Sequence, residues 1–139
     1  MSAGVLAAPP LAALAALELT EALPGFPGYR DYALVAADGS GLVFWLQALD
    51  LEGPRFLAVP AAPYFPEYAP SLPGTVRTEL GLGEQVAAPL YCLVTVPGGD
   101  IEKATANLRA PLVVNPATGR ARQVVLADGT HPIRRPLRR

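Results

Sequence analysis

The chain has 139 residues, 51% of them hydrophobic and 17% charged, a balance that fits one folded domain and excludes a disordered tail. The net charge of −1 hides a split: residues 1–102 carry eleven acids against three arginines, a sum of −8, and residues 103–139 carry one acid against eight basic groups, a sum of +7. Such a split fits a surface that meets a charged partner, and equally two halves that interleave in the fold.

Residues 5–19 are rich in Ala and Leu. No Lys or Arg precedes them, Pro9 and Pro10 interrupt them, and Glu18 and Glu21 close the run short of the roughly 20 residues a membrane span requires. The expectation is an Ala/Pro/Leu-rich lead over residues 1–18, mobile or folded as a first strand or short helix, and a single domain over residues 19–139.

Strand-like runs follow at short intervals. Residues 32–36 form one. Residues 42–49 form the clearest, with Phe44, Leu46 and Ala48 on one face and Val43, Trp45 and Leu49 on the other, so both faces are apolar. Asp38-Gly39-Ser40-Gly41 supplies the hairpin between them. Residues 55–59 end at Pro60. The segment 60–73 holds prolines at 60, 63, 66, 70 and 73 and reads as a long irregular loop, a kind of segment that often carries function. A helix of one or two turns is expected over 71–80, with Gly81 beyond its end, and another over 100–106 with Asp100 as N-cap.

Residues 90–96 give a further strand, and 107–115 and 120–126 the last pair. Asn115-Pro116-Ala117-Thr118-Gly119 joins that pair: Asn opens the turn, Pro presets φ, and Gly takes the positive φ of a bulged hairpin. Many short strands with Gly/Pro turns and little helix predict a mainly β single domain, a small antiparallel β-barrel or sandwich with one or two short helices.

The groups that carry chemistry are sparse. Cys92 sits in the apolar run 90–96 and reads as a buried thiol; a chain without disulfides fits a reducing cytoplasm. With one Cys and one His, His131, in different segments, no zinc site of the usual type is available. No Gly-x-Ser-x-Gly, phosphate loop or complete dinucleotide fingerprint occurs. The sequence therefore points away from an enzyme and toward a protein that binds another macromolecule without cofactor or metal. A protein partner is the first reading. The alternative is a nucleic-acid-binding module that uses the Arg-rich end HPIRRPLRR. Against it, Tyr64, Phe65 and Tyr68 lie in the acidic section, away from those arginines.

Several stretches together resemble the flagellar assembly factor FliW family: LPGF at 23–26, FWLQAL at 44–49, RFLAVPAAPYFPEY at 55–68, the block VTVPGGDIEKATANLRAPLVVNPATGRARQVVL at 94–126, and the ending HPIRRPL. The likeness runs from about Leu19 to Leu137. It implies a compact antiparallel β-barrel with short helices. It also implies two protein partners in the cytoplasm, flagellin and CsrA, a basic RNA-binding regulator that represses flagellin translation. Export of flagellin would free the protein to bind CsrA away from its RNA-contacting surface and relieve that repression, a chaperone-like partner switch driven by mass action. No membrane contact or small-molecule substrate is implied. The Ala/Pro/Leu-rich start departs from the Phe-Gly-x-Ile strand that opens many members.

The candidate partner-binding residues are the aromatic/proline loop Tyr64, Phe65, Pro66, Glu67 and Tyr68, the acids Glu79 and Glu84, and Asn107, Pro111 and Asn115 of the family block. Aromatics anchor interfaces and acids suit a basic partner. Phe65 and Tyr68 fit core packing as well, and Asn107, Pro111 and Asn115 fit caps, bulges and turns.

Overall fold

The computed structural model describes residues 14–83, 87–127 and 129–137. Four strands come first: β1 (Leu14–Leu19), β2 (Asp31–Ala36), β3 (Phe44–Ala48) and β4 (Arg55–Pro60). Helices α1 (Ala61–Tyr64) and α2 (Gly74–Leu80) then lead to β5 (Leu90–Thr95). Two 3-10 turns, Pro97–Gly99 and Ile101–Lys103, precede β6 (Thr105–Ala106), β7 (Leu112–Val114), β8 (Arg120–Gln123) and β9 (Arg135–Pro136).

Seven strands close a ring in the order β5-β4-β3-β2-β1-β8-β7, and β7 returns to β5 through Leu90↔Val113 and Tyr91↔Leu112. The fold is thus the expected mainly β barrel, with one correction to its antiparallel character. Strands β1 and β8 run parallel, with Glu18 opposite Arg120 and Leu19 opposite Ala121. An odd-membered ring of strands that alternate in direction cannot close without a parallel seam.

The period of two in each strand sorts its side chains between the barrel interior and two outer clusters. Leu17 and Leu19 of β1, Tyr32 and Leu34 of β2, Leu46 of β3, Ala58 of β4, Leu112 and Val114 of β7 and Ala121 of β8 are buried together, with Phe44, Ala48, Phe56, Tyr91 and Leu93 packed against them. Phe44, Leu46 and Ala48 therefore share the inner face, as their spacing predicts. The alternate residues of β4 and β5, Val59 and Cys92, face outward and are covered by Ala61, Phe65, Ala106 and Leu108. Val113 of β7 lies under Val76 and Leu80 of α2.

Cys92 is fully buried, as expected, and burial pushes its thiol pKa up to about 12. A thiol held protonated and out of water is a poor nucleophile. Native protein at pH 8 is expected to react with a disulfide reagent at least a hundredfold more slowly than protein in urea. A native rate equal to the unfolded rate overturns this placement.

Several element boundaries differ from expectation; the strand expected over 120–126, for one, ends at Gln123. Residues 107–115 are not one strand but a loop entering the short strand β7. The Asn107 carboxamide oxygen accepts from the backbone N–H groups of Arg109 (3.0 Å) and Ala110 (3.2 Å) and turns the chain out of extended form. The turn lets β6 pair with Val94 and Thr95 of β5 while β7 pairs with Leu90 and Tyr91. The helix expected over 100–106 is a single 3-10 turn. Asp100 caps it, accepting from Glu102 N at 3.0 Å, but Thr105 and Ala106 are drawn into the sheet. The segment 60–73 begins with the helical turn α1, which places its proline at a position where no intrahelical donor is needed.

The helix expected over 71–80 starts at Gly74, after Pro73, and ends at Gly81 with φ 74°. Gly81 N donates to Thr78 O and Leu82 N to Arg77 O, which satisfies carbonyls at the helix end. Of the lead, Leu14–Leu19 is strand; residues 1–13 lie outside the described residues.

Candidate protein-binding groove

The Tyr64–Tyr68 loop leaves α1 through Phe65, whose N–H donates to Ala61 O at 2.8 Å, and turns again where Tyr68 N donates to Phe65 O at 2.9 Å. These turns give each aromatic a different environment. Phe65 is buried at 7% exposure among Val59, Cys92, Ala106 and Leu108. Tyr68 is half-buried; its hydroxyl donates to Leu108 O, and its ring meets His131 edge-on, centroids 5.2 Å apart. The Tyr64 hydroxyl donates to Leu42 O at 3.1 Å, and burial, followed by the nearby Asp38, raises its pKa. Glu67 stands exposed at the tip of the loop.

The facing wall comes from the chain end. Strand β9 pairs with β6, Arg135 opposite Ala106 and Pro136 opposite Thr105, and Leu137 N donates to Ala104 O at 3.1 Å. Arg109 clamps the approach to β9: its Nε donates to His131 O (3.0 Å) and its Nη2 to Gly129 O (3.3 Å). Leu108 N donates to Pro132 O at 3.0 Å. The Arg135 guanidinium lies 5.3 Å from the centroid of the Phe65 ring. Between these walls runs an open groove of about 590 Å³ with Leu108 along it.

The groove unites Tyr64, Phe65, Glu67 and Tyr68 with a wall that sequence reasoning left out. His131, Arg135 and Leu137 lie more than sixty positions away in the chain, and nothing in spacing brings them to the aromatic loop. The only signal was the ending HPIRRPL. Its residues 132–136 are exposed, yet Arg135 and Pro136 pair as a strand with β6. Deleting residues 134–139 removes β9, the Leu137 packing and the Arg135–Phe65 contact, and should lower stability by roughly 1–3 kcal/mol. Unfolding in urea measures it, and an unchanged midpoint makes the tail dispensable.

The remaining candidates lie elsewhere. Glu79 on α2 accepts from the Thr20 hydroxyl and from Arg122 Nη1 at 3.1 Å. The Thr20 hydrogen bond chiefly, with help from Arg122, lowers the pKa of its carboxyl. Arg122 also reaches Glu21 at 3.4 Å, so here the acidic and basic parts of the chain do interleave. Asn107 shapes the loop after β6, and Pro111 is fully buried, its carbonyl accepting from Val124 N at 2.9 Å. Asn115 is buried; its Nδ2 donates to Leu80 O at 2.7 Å, and its Oδ1 accepts from Ala117 N at 2.9 Å. Glu84 lies outside the described residues. Among those residues, no group of three His, Cys, Asp or Glu is placed to hold a metal ion, and no helix is long and apolar enough to cross a membrane.

These features define a class: a small mainly β domain, a closed seven-stranded barrel with two short helices and an aromatic groove on its outside. Residues 8–137 match the model of the FliW protein family. The chain is 38% identical over 122 residues to the flagellar assembly factor FliW of Symbiobacterium thermophilum, covering 86% of this chain and 87% of that protein. It is 33% identical over 114 residues to the flagellar assembly factor FliW of Moorella thermoacetica, covering 82% and 72%. A crystal structure of the flagellar assembly factor FliW has the same fold, with a TM-score of 0.76 at 23% identity over 88% of this chain and 84% of that one. The chain belongs to the FliW family.

Proposed function

We propose that this protein is a flagellar assembly factor that works by binding proteins, holding flagellin and the RNA-binding regulator CsrA in alternation and so relieving repression of flagellin translation. The observation that carries the reading is the family match over residues 8–137, which includes both walls of the groove. Work in the cytoplasm and action without a cofactor or catalytic step are parts of the same proposal.

The groove suits a protein partner. It offers aromatic surface from Tyr64 and Tyr68, an exposed acid at Glu67 and a cation at Arg135, the mixture that anchors and orients a docked segment. Asn107, Pro111 and Asn115 contribute by holding the loop and hairpin in shape. Glu79, neutralised by Arg122, contributes through that ion pair. Of the Arg-rich end behind the nucleic-acid reading, Arg135 is taken up by the ring of Phe65, an aromatic that the sequence had placed away from it.

Titration calorimetry with purified flagellin and CsrA at low and physiological salt tests the proposal. A direct complex with at least one is expected, and each should displace the other by mass action. The CsrA complex should weaken with salt as the Debye length shrinks to about 8 Å, and Glu67→Lys should weaken it further. The flagellin complex, resting on buried apolar area, should tolerate salt. No complex with either protein overturns the proposal.

A further inference from the structure

The outer face of β2, β3 and β4 carries a half-buried apolar strip that joins none of the three buried clusters. Register places Val35, Trp45 and Leu57 side by side across the three strands, with Ala33, Gln47 and Arg55 in the next row. Their neighbours Phe44 and Leu46 point into the barrel, so Trp45 and Leu57 point out. All three strands are paired on both edges. Beyond β3 the strip continues into the turn before β4, where Leu49 is 59% and Leu51 101% exposed. Leu42, at the other end, is 39% exposed and borders the groove, its carbonyl accepting from the Tyr64 hydroxyl; the Leu49–Leu51 end carries the surface away from it.

The charges around this strip are mostly of one sign. Asp31, Asp50 and Glu52 stand exposed at the Leu49–Leu51 end, and Asp38 at the Leu42 end. Arg55 is the cation within the strip, its guanidinium 4.1 Å from the centroid of the Trp45 ring. Arg30, beside Asp31, donates to Thr20 O at 3.0 Å.

We infer that this face is a second protein-docking surface, distinct from the groove, and that it takes a cationic amphipathic helix. Exposed leucines at both ends of a half-buried apolar row, grouped inside a charged rim, mark an interaction site. The acidic rim selects a basic partner. The closed sheet selects a helix. An extended segment would need a strand edge to satisfy its backbone, whereas a helix satisfies its own and offers only side chains. Five residues of β3 span about 17 Å, the length of a helix of about eleven residues.

Trp45 is the single tryptophan and reports directly on its own surface. The probe is a synthetic, amidated, fluorescein-labelled 14-residue helix with leucines at i, i+3, i+4, i+7 and i+11 and lysines elsewhere. A second peptide carries glutamates in place of the lysines. The lysine peptide should bind, shift Trp45 emission to the blue and raise the anisotropy of the label; the glutamate peptide should not bind.

Asp50→Asn with Glu52→Gln should weaken binding by roughly threefold per charge, and Arg55→Gln should strengthen it by a similar factor. Leu49→Ser with Leu51→Ser should weaken it by about tenfold. Each of these side chains is exposed, and Asn at 50 keeps the oxygen that accepts from Glu52 N at 2.9 Å, so the variants should fold. Glu67→Lys in the groove should leave peptide binding unchanged, which separates this surface from the one proposed above. The inference is overturned if both peptides bind alike, if Trp45 emission stays still at saturation, or if Arg55→Gln weakens the complex.

Discussion

Gly119→Ala is expected to lower stability by roughly 3 kcal/mol or more. Gly119 has φ +80°, a conformation that costs an alanine about 1–2 kcal/mol. A Cβ there would also stand 2.5 Å from the carbonyl oxygen of Ala16, a backbone atom that cannot rotate away. That contact lies on the parallel seam, where Glu18 N donates to Gly119 O at 2.8 Å and Thr20 N to Ala121 O at 2.9 Å. Relief of the clash must move β1 away from β8 and open the ring. Gly98→Ala is the control: its φ is +60°, with nothing within 4 Å of the added carbon, so it should lose only the conformational part, about 1 kcal/mol. Urea unfolding of both variants measures the difference. Equal losses would mean that the seam tolerates the methyl group.

Asn115→Ala should cost roughly 3 kcal/mol. The side chain makes two hydrogen bonds, one to the last carbonyl of α2 and one within its own hairpin. Each contributes about 1 kcal/mol, and leaving the buried Leu80 carbonyl without a donor costs about 1–3 kcal/mol more. Asn115→Asp separates the two roles. It keeps the oxygen that accepts from Ala117 N but sets a second oxygen against Leu80 O, so its loss should match or exceed that of alanine. If Asp is tolerated, the bond to Leu80 is not what fixes α2 to the barrel. Because Asn115 is 6% exposed and both of its polar atoms are occupied, any effect of these variants on partner binding should follow their effect on stability.

The sequence by itself determined what local chemistry controls. Alternation at 44, 46 and 48 assigned the inner face of β3 because a strand's side chains have a period of two wherever the strand lies. Asn115 and Gly119 announced their hairpin because turn geometry depends on a few adjacent residues. Gly81 closed α2 for the same reason. The run around Cys92 announced a buried thiol. The blocks 23–26, 44–49, 55–68 and 94–126 carried the family.

The tertiary structure decided what depends on partners distant in the chain. Residues 107–115 have the composition of one strand, yet β5 divides its edge between β6 and β7, and the chain must turn between them. Thr105 and Ala106 left a helix they were suited to because Val94 and Thr95 offered a strand edge. The parallel seam follows from the number of strands in the ring, which no single segment encodes. In the groove, the aromatic loop was legible and its facing wall was not. His131, Arg135 and Leu137 reach Phe65 and Tyr68 only because β9 returns to β6, and an Arg/Pro-rich end gives no local sign of that pairing.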